Sequence, residues 1–288
     1  MHHRPSAGMA LIAVLWIVAA LAIMVTGFVY TVRQQILIAA AQRDQISGQA
    51  VGEAAIALAL QDMLASRARV TAIVSSAVAY GGVQVEVSVA PLNGWISLNG
   101  ANAALLSDLL RYAGGLDQGR ADNLAQTLVQ WRDTRPDIDP TAPGAASIQP
   151  RRFEAPEDLL LVPGIDYPLY ARIAPLVTAD LSGGAQVNPQ AAPPEVLAVL
   201  AQGNMARVTQ YVTQRTAGEP GDASGFSNAA GGGSSSSLYR LQARVPLEAG
   251  KILLLTSDVA LDGASSRNAT APWRVVRTYR QIVGSPAG

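Results

Sequence analysis

Chemistry has few places to reside in this chain. The only histidines are His2 and His3, and cysteine is absent. A chain relieved of its first eight residues would hold neither type, which excludes a Ser-His-Asp triad, a cysteine nucleophile and the usual His/Cys zinc sites. The single lysine, Lys251, follows Gly250 but precedes Ile252, so the phosphate-binding GxxxxGK[ST] pattern is missing. It reads as an exposed turn lysine in a hairpin. No catalytic constellation emerges, and the chain reads as a non-enzyme.

Three carboxylates fall together in RDTRPDIDP: Asp133, Asp137 and Asp139. Hard cations such as Ca²⁺ favour several loop oxygens of this kind, although the spacing is not that of an EF-hand. Arg132 and Arg135 can neutralise the same aspartates, and a solvated loop at a helix end, bounded by Pro136 and Pro140, is the favoured reading. The segment LLLVPGID has the outline of two short helices around a Pro-Gly turn that could face a DNA phosphate. Such a contact normally accompanies a basic patch. Here Arg151 and Arg152 are surrounded by Glu154, Glu157, Asp158 and Asp166 in a chain of formal charge zero, so structural packing is favoured and no nucleic acid is expected. Asn268-Ala269-Thr270 matches a glycosylation sequon, a short pattern that carries little weight.

The elements that must position these groups begin with an apolar run from Met9 to Val32, entered through the basic leader MHHRPSAG. As a helix it would rise about 36 Å against a hydrocarbon core of roughly 30 Å, and no charge interrupts it. It is too long for the apolar part of a secretory signal peptide. Arg4 before the run and Arg33 and Arg43 after it orient the chain poorly by charge. The short leader favours a cytoplasmic amino terminus with the remainder exported. The helical pattern continues without proline to Ser66, with Ile46, Ala50, Val51, Ala54 and Leu58 recurring at three- and four-residue steps. Span and stem form one expected helix of about 85 Å, which needs partners along its length.

Beyond the stem, Val83, Val85, Val87 and Val89 alternate with polar residues as in a half-buried strand, and LNGW is expected to turn the chain into a second strand. From Ala101 to about Arg215 the pattern becomes helical, with Asp166 and Asn204 as N-caps and Gly114 and Gly164 at helix ends. Residues Ala217 to Ser237 are rich in Gly, Ser and Asn and are expected to form a flexible loop. Strand signals return in LYRLQARVPL, KILLLTSDVAL and WRVVRTYRQIV, the first with Tyr239, Leu241, Ala243 and Val245 on one face. The expected division is leader 1–8, membrane segment 9–32, amphipathic stem 33–66, first part of a sheet 67–100, inserted helical domain with short strands 101–215, Gly/Ser loop 216–237 and completing strands 238–288. The fold class is α+β, with a large helical domain inserted between the strands of an antiparallel sheet.

Gly8 followed by Met9-Ala10-Leu11-Ile12 and the long apolar helix resembles the class III leader of type IV pilins and type II secretion pseudopilins. The stem's RDQ, the segment Ile96 to Asn99, LVQWRD at Leu128 to Asp133, FEAPEDLLLVPGI at Phe153 to Ile165 and QVNPQAAPPEVLAVL at Gln186 to Leu200 narrow the resemblance to the K-type minor pseudopilins, general secretion pathway protein K. The resemblance implies a pilin-like long helix packed on an antiparallel sheet. It also implies cleavage after Gly8 by prepilin peptidase, with methylation of Met9. The fifth mature position is Ala13, where most relatives carry a glutamate and K-type subunits do not. That absence implies a subunit capping the assembly. The implied partners are I-type and J-type minor pseudopilins, with the major pseudopilin beneath and the secretin and exported substrates above. The implied location is the inner membrane and then the pseudopilus tip, with the bulk of the chain periplasmic. Gly27, Gly48 and Gly52 would permit close approach of neighbouring stems. No cofactor is required, and calcium is the ion the family implies at Asp133, Asp137 and Asp139. The loop here has fewer carboxylates than is usual, and Asn188 is followed by Pro189 where the family has a second asparagine nearby. A minor pilin of a type IV pilus is the alternative, and a membrane-anchored DNA-uptake protein using the VPGI turn is a more distant one.

Overall fold

The computed structural model describes residues 7–66, 70–133, 152–181, 186–219, 221–230, 236–261 and 272–284. A single helix, α1 (Ala7–Ser66), joins the expected span and stem without a break. A hairpin follows, formed by β1 (Val74–Tyr80) and β2 (Val83–Pro91). Its two turn residues, Gly81 and Gly82, both have positive φ (58° and 80°), the requirement of a turn whose twist matches the strands. Val85, Val87 and Val89 point from β2 into the core beneath α1.

The expected turn at LNGW does not produce a sheet neighbour. Leu92–Gly94 is a 3₁₀ turn, and the short β3 (Ile96–Ser97) pairs in parallel with β4 (Val177–Thr178), within the helical part. The turn packs closely on the insertion at Gly94, where a Cβ would lie 2.2 Å from the Ala191 carbonyl oxygen.

Between these short strands the chain builds α2 (Ala103–Asp108), which runs on as a π-helical turn at Leu109–Ala113, then α3 (Gln118–Asp133) and α4 (Tyr167–Ile173). After β4 come α5 (Pro194–Leu200) and α6 (Met205–Thr216). The Asp166 side chain accepts from the Leu169 amide at 2.9 Å and Asn204 accepts from Arg207 at 3.2 Å, so both expected caps are present. The helices enclose their own core around Leu105, Leu109, Leu128, Leu159, Ile173 and Leu197.

The chain then re-enters the sheet as β5 (Leu238–Pro246), followed by β6 (Lys251–Ala260) and β7 (Arg274–Gly284). The order β1-β2-β5-β6-β7 is antiparallel throughout. Because Pro91 is the register partner of Tyr239, residues 92–237 leave and return at one point between two paired strands. The helical domain is thus an insertion, and the mixed helix-and-antiparallel-sheet class is as expected.

The loop expected to be flexible is in part ordered. Within 221–230, Phe226 is buried and meets the Tyr211 ring edge-on with centroids 5.0 Å apart. The Ser227 amide donates to Leu200 and the Ala230 amide to Val187. One aromatic ring supplies the apolar area that the Gly/Ser composition lacks.

Candidate assembly surface

The stem has two faces with different duties. Gly48, Gly52, Ala55, Ile56, Leu60 and Met63 lie against the sheet, recurring at steps of three and four. A Cβ on Gly48 would sit 2.5 Å from Leu247 Cδ2, and one on Gly52 would sit 3.1 Å from Val245 Cγ2 and 3.2 Å from Leu255 Cδ2. These two glycines therefore admit the chain's own sheet, which corrects the expectation that they serve neighbouring stems. Polar straps fix the register of helix on sheet. The Glu248 amide donates to Asp44 at 3.1 Å, and Arg280 on β7 donates to Gln49 at 3.0 Å.

The residues singled out for stem packing mostly lie elsewhere. Ile46 is 70% and Leu58 41% exposed, and Ala50 is exposed; Val51 and Ala54 are half-buried, with Val51 touching the sheet core. They leave an apolar stripe uncovered in the monomer. Farther toward the amino terminus Leu11 to Val25, including Ala13, Leu15, Trp16 and Ile23, are exposed, as are Phe28 and Tyr30. Gly8 and Met9 lie within α1. Among the described residues, no helix is long and apolar enough to cross a membrane. The run Met9–Val32 also includes positions whose side chains lie outside the description.

A second surface lies where the insertion meets the opposite face of the sheet. Asp258 on β6, fully buried, receives two bonds of 2.7 Å from Arg240 on β5, directly across the ladder. The Arg240 guanidinium in turn sits 4.5 Å from the centre of the Trp95 ring, whose Nε1 donates to the Pro175 carbonyl at 3.1 Å. On β7, Arg277 donates to the Glu154 carbonyl at 2.6 Å and lies 3.4 Å from Asp180. Burial pushes the Tyr279 phenol up to about 12, and burial followed by the Glu157 charge raises Tyr170. Beside these contacts opens a cavity of about 630 Å³, bounded by Trp95, Tyr170, Arg240, Gln242, Tyr279 and Gln281.

The motifs that stood out in the sequence tie the insertion together. Asn99 donates to the carbonyls of Phe153 and Ala179 and accepts from the Phe153 amide. Arg132 donates to the carbonyls of Leu98 and Ala101, and Asp158 accepts from the amides of Glu154 and Ala155. Asn188, fully buried, donates to Thr71, which anchors the insertion to the segment leaving the stem. Each motif places one polar side chain on loop carbonyls or amides that lack a helix or strand partner.

The acidic loop stands differently. Asp133 is exposed at the end of α3 and pairs with Arg132 at 2.9 Å, while Asp137 and Asp139 lie outside the described residues. No group of three metal-ligating side chains occurs among the described residues. The sequon at Asn268 and Arg151 also lie outside them. Other carboxylates serve local order: Asp122 accepts from Ser107 and Gln118, which lowers its pKa, and burial raises that of Asp108.

No protein-family model matches the sequence, and no curated protein matches it. Among solved structures the chain is similar to one described as the GspK-GspI-GspJ complex from the enterotoxigenic Escherichia coli type 2 secretion system. The TM-score is 0.47 with 16% sequence identity, over 88% of this chain and 99% of that chain.

Sequence reasoning missed the junction formed by Arg240, Asp258, Arg277 and Trp95. The available signal was the charge on the polar side of the last strands: Arg240 shares its face of β5 with Gln242 and Arg244, and Asp258 is the one charge on a β6 face that also holds Ile252, Leu254 and Thr256. Only the register, which the sequence does not print, places them opposite one another.

Proposed function

We propose that the chain is a structural minor pseudopilin of the K type, seated at the tip of a type II secretion pseudopilus. The observation that carries the reading is the two-faced stem. One side of α1 is covered by the sheet, while the stripe through Ile46, Ala50 and Leu58 has nothing on it in the monomer. A helix of this length with an uncovered apolar face is suited to lateral packing among similar helices. The leader residues Gly8 and Met9, and the helix that follows them, supply the matching sequence features.

In this reading prepilin peptidase cuts after Gly8 and methylates Met9, and Met9–Val32 spans the inner membrane with the amino terminus cytoplasmic and the head periplasmic. Ala13 places no carboxylate in the apolar bundle, where an unpaired one would be costly. The subunit therefore has no charged partner to seek above it and caps the assembly. The stems of I-type and J-type minor pseudopilins take the exposed stripe, the major pseudopilin is added beneath, and the head faces the secretin and the exported substrates. The role is pilin-like and non-enzymatic and requires no cofactor.

Cross-linking in membranes tests this, and the absence of native cysteine makes single-cysteine labelling clean. Ile46→Cys and Leu58→Cys should cross-link to I-type or J-type stems, while Ala55→Cys, buried against the sheet, should not. Absence of cross-links from the exposed stripe, or equal cross-linking from Ala55, would refute the arrangement.

A further inference from the structure

The cavity between insertion and sheet lies on the sheet face opposite the stem, and the assembly reading makes no use of it. We infer that it is a docking trough for an extended, proline-bearing segment of a partner chain that carries a basic side chain. The cavity of about 630 Å³ adjoins a second groove of about 450 Å³, the two sharing Pro175, Leu176 and Glu195. Each is of the size that binding pockets use. Two adjoining pockets separated by Pro175, Leu176 and Glu195 suit a chain lying across both better than a compact ligand.

The lining chemistry fits a polyproline II conformation. Rings of Trp95, Tyr170 and Tyr279 stand beside Pro156, Pro175 and Pro193, and aromatic-lined grooves recognise such segments by packing against their rings. A polyproline II backbone makes no internal hydrogen bonds, so its carbonyls need donors from outside. Gln281 offers an amide and Thr256 a hydroxyl along the sheet wall, where the Gln242 amide already donates to the Thr256 hydroxyl oxygen at 3.3 Å. Trp95 is buried, with its bond to Pro175 and the Arg240 guanidinium over its ring, so it forms the floor, and the half-buried Tyr170 and Tyr279 are the rings open to a partner.

Charge selects the basic side chain. Arg240 is neutralised by buried Asp258, leaving Glu157 and Glu195 as the carboxylates of the wall. Glu157 is already engaged by Arg277 at 3.8 Å and by the Tyr170 hydroxyl, whereas Glu195 is exposed without an ion pair among the described residues and is the carboxylate open to a cation. Arg172 belongs to the adjoining groove. A cationic side chain near Glu195 would complete the wall.

Fluorescence anisotropy with the full chain in detergent tests the assignment, using labelled peptides of repeated Pro-Pro-Arg, Pro-Pro-Gln and Pro-Pro-Glu. The Arg peptide should bind saturably and more tightly than the Gln peptide, and the Glu peptide least. Glu157→Gln with Glu195→Gln should weaken the Arg peptide by about fivefold and leave the Gln peptide unchanged. Tyr279→Ala should weaken both by about tenfold. Leu161→Ala, exposed and outside the trough, should change neither. A near-ultraviolet dichroism spectrum like that of the parent shows that each variant is folded. No saturable binding at millimolar peptide, equal binding of the Glu peptide, or indifference to the trough variants would overturn the assignment. None of these results bears on the assembly reading, which depends on the amino terminus and the stem cross-links.

Discussion

Removing Arg240 should cost far more than removing the whole ion pair. Its partner Asp258 has no exposed side-chain surface, and Arg240 itself is 12% exposed. Arg240→Ala leaves the carboxylate in the junction without its two 2.7 Å bonds, a change that typically costs about 3–5 kcal/mol. The lost stacking on Trp95 adds about 0.5–2 kcal/mol. Taking about 4 kcal/mol, and roughly 2–4 °C per kcal/mol for a domain of this size, Tm should fall by about 8–16 °C. Replacing both partners, Arg240→Leu with Asp258→Leu, removes the buried charge along with its counter-ion and should recover most of that loss. Thermal melts followed by near-ultraviolet dichroism in detergent would read both variants. A drop under about 2 °C for Arg240→Ala, on the scale of an exposed pair, would refute the reasoning. So would a double variant as unstable as the single one.

Other outcomes follow from the same contacts. Gly52→Leu should unseat the stem from Val245 and Leu255, both fully buried, and lower stability by about 1–3 kcal/mol in a denaturant titration. Gly48→Ala should cost less, because the end of the half-buried Leu247 side chain can swing aside. Phe226→Ala should cost about 3–5 kcal/mol and expose 221–230 to proteolysis if that ring is the segment's anchor. The Tyr279 phenol is raised from 10.0 to about 12, so the unfolded chain ionises first. Its contribution is constant below pH 10 and stability falls as pH rises from 10 toward 12. Melts across that range should fall less steeply for Tyr279→Phe than for the parent.

Long-range features of the fold were legible where periodicity was strong. The unbroken helix to Ser66 and the alternation in Tyr239 to Val245 were read from pattern alone. The strand Val74–Tyr80 was not, because its exposed edge position lets Ser and Ala stand where a buried strand needs larger apolar residues. The stem's sheet-facing side was hidden for a related reason. Gly48, Gly52 and Ala55 make its first contacts and only then Ile56, Leu60 and Met63, so the conspicuous side chains Ile46 and Leu58 pointed to the other face. The segment at Phe226 shows how one ring can override a disorder-prone composition. At the junction, the Arg240–Asp258 pair depends on register between strands that sequence spacing alone does not reveal.

The most direct test of the pseudopilin assignment is the mature amino terminus of the membrane-extracted protein, determined by intact mass and terminal sequencing with and without active prepilin peptidase. A peptidase-dependent start at Met9 carrying one added methyl is the expected result. An unprocessed terminus, or cleavage beyond the apolar run, would contradict it.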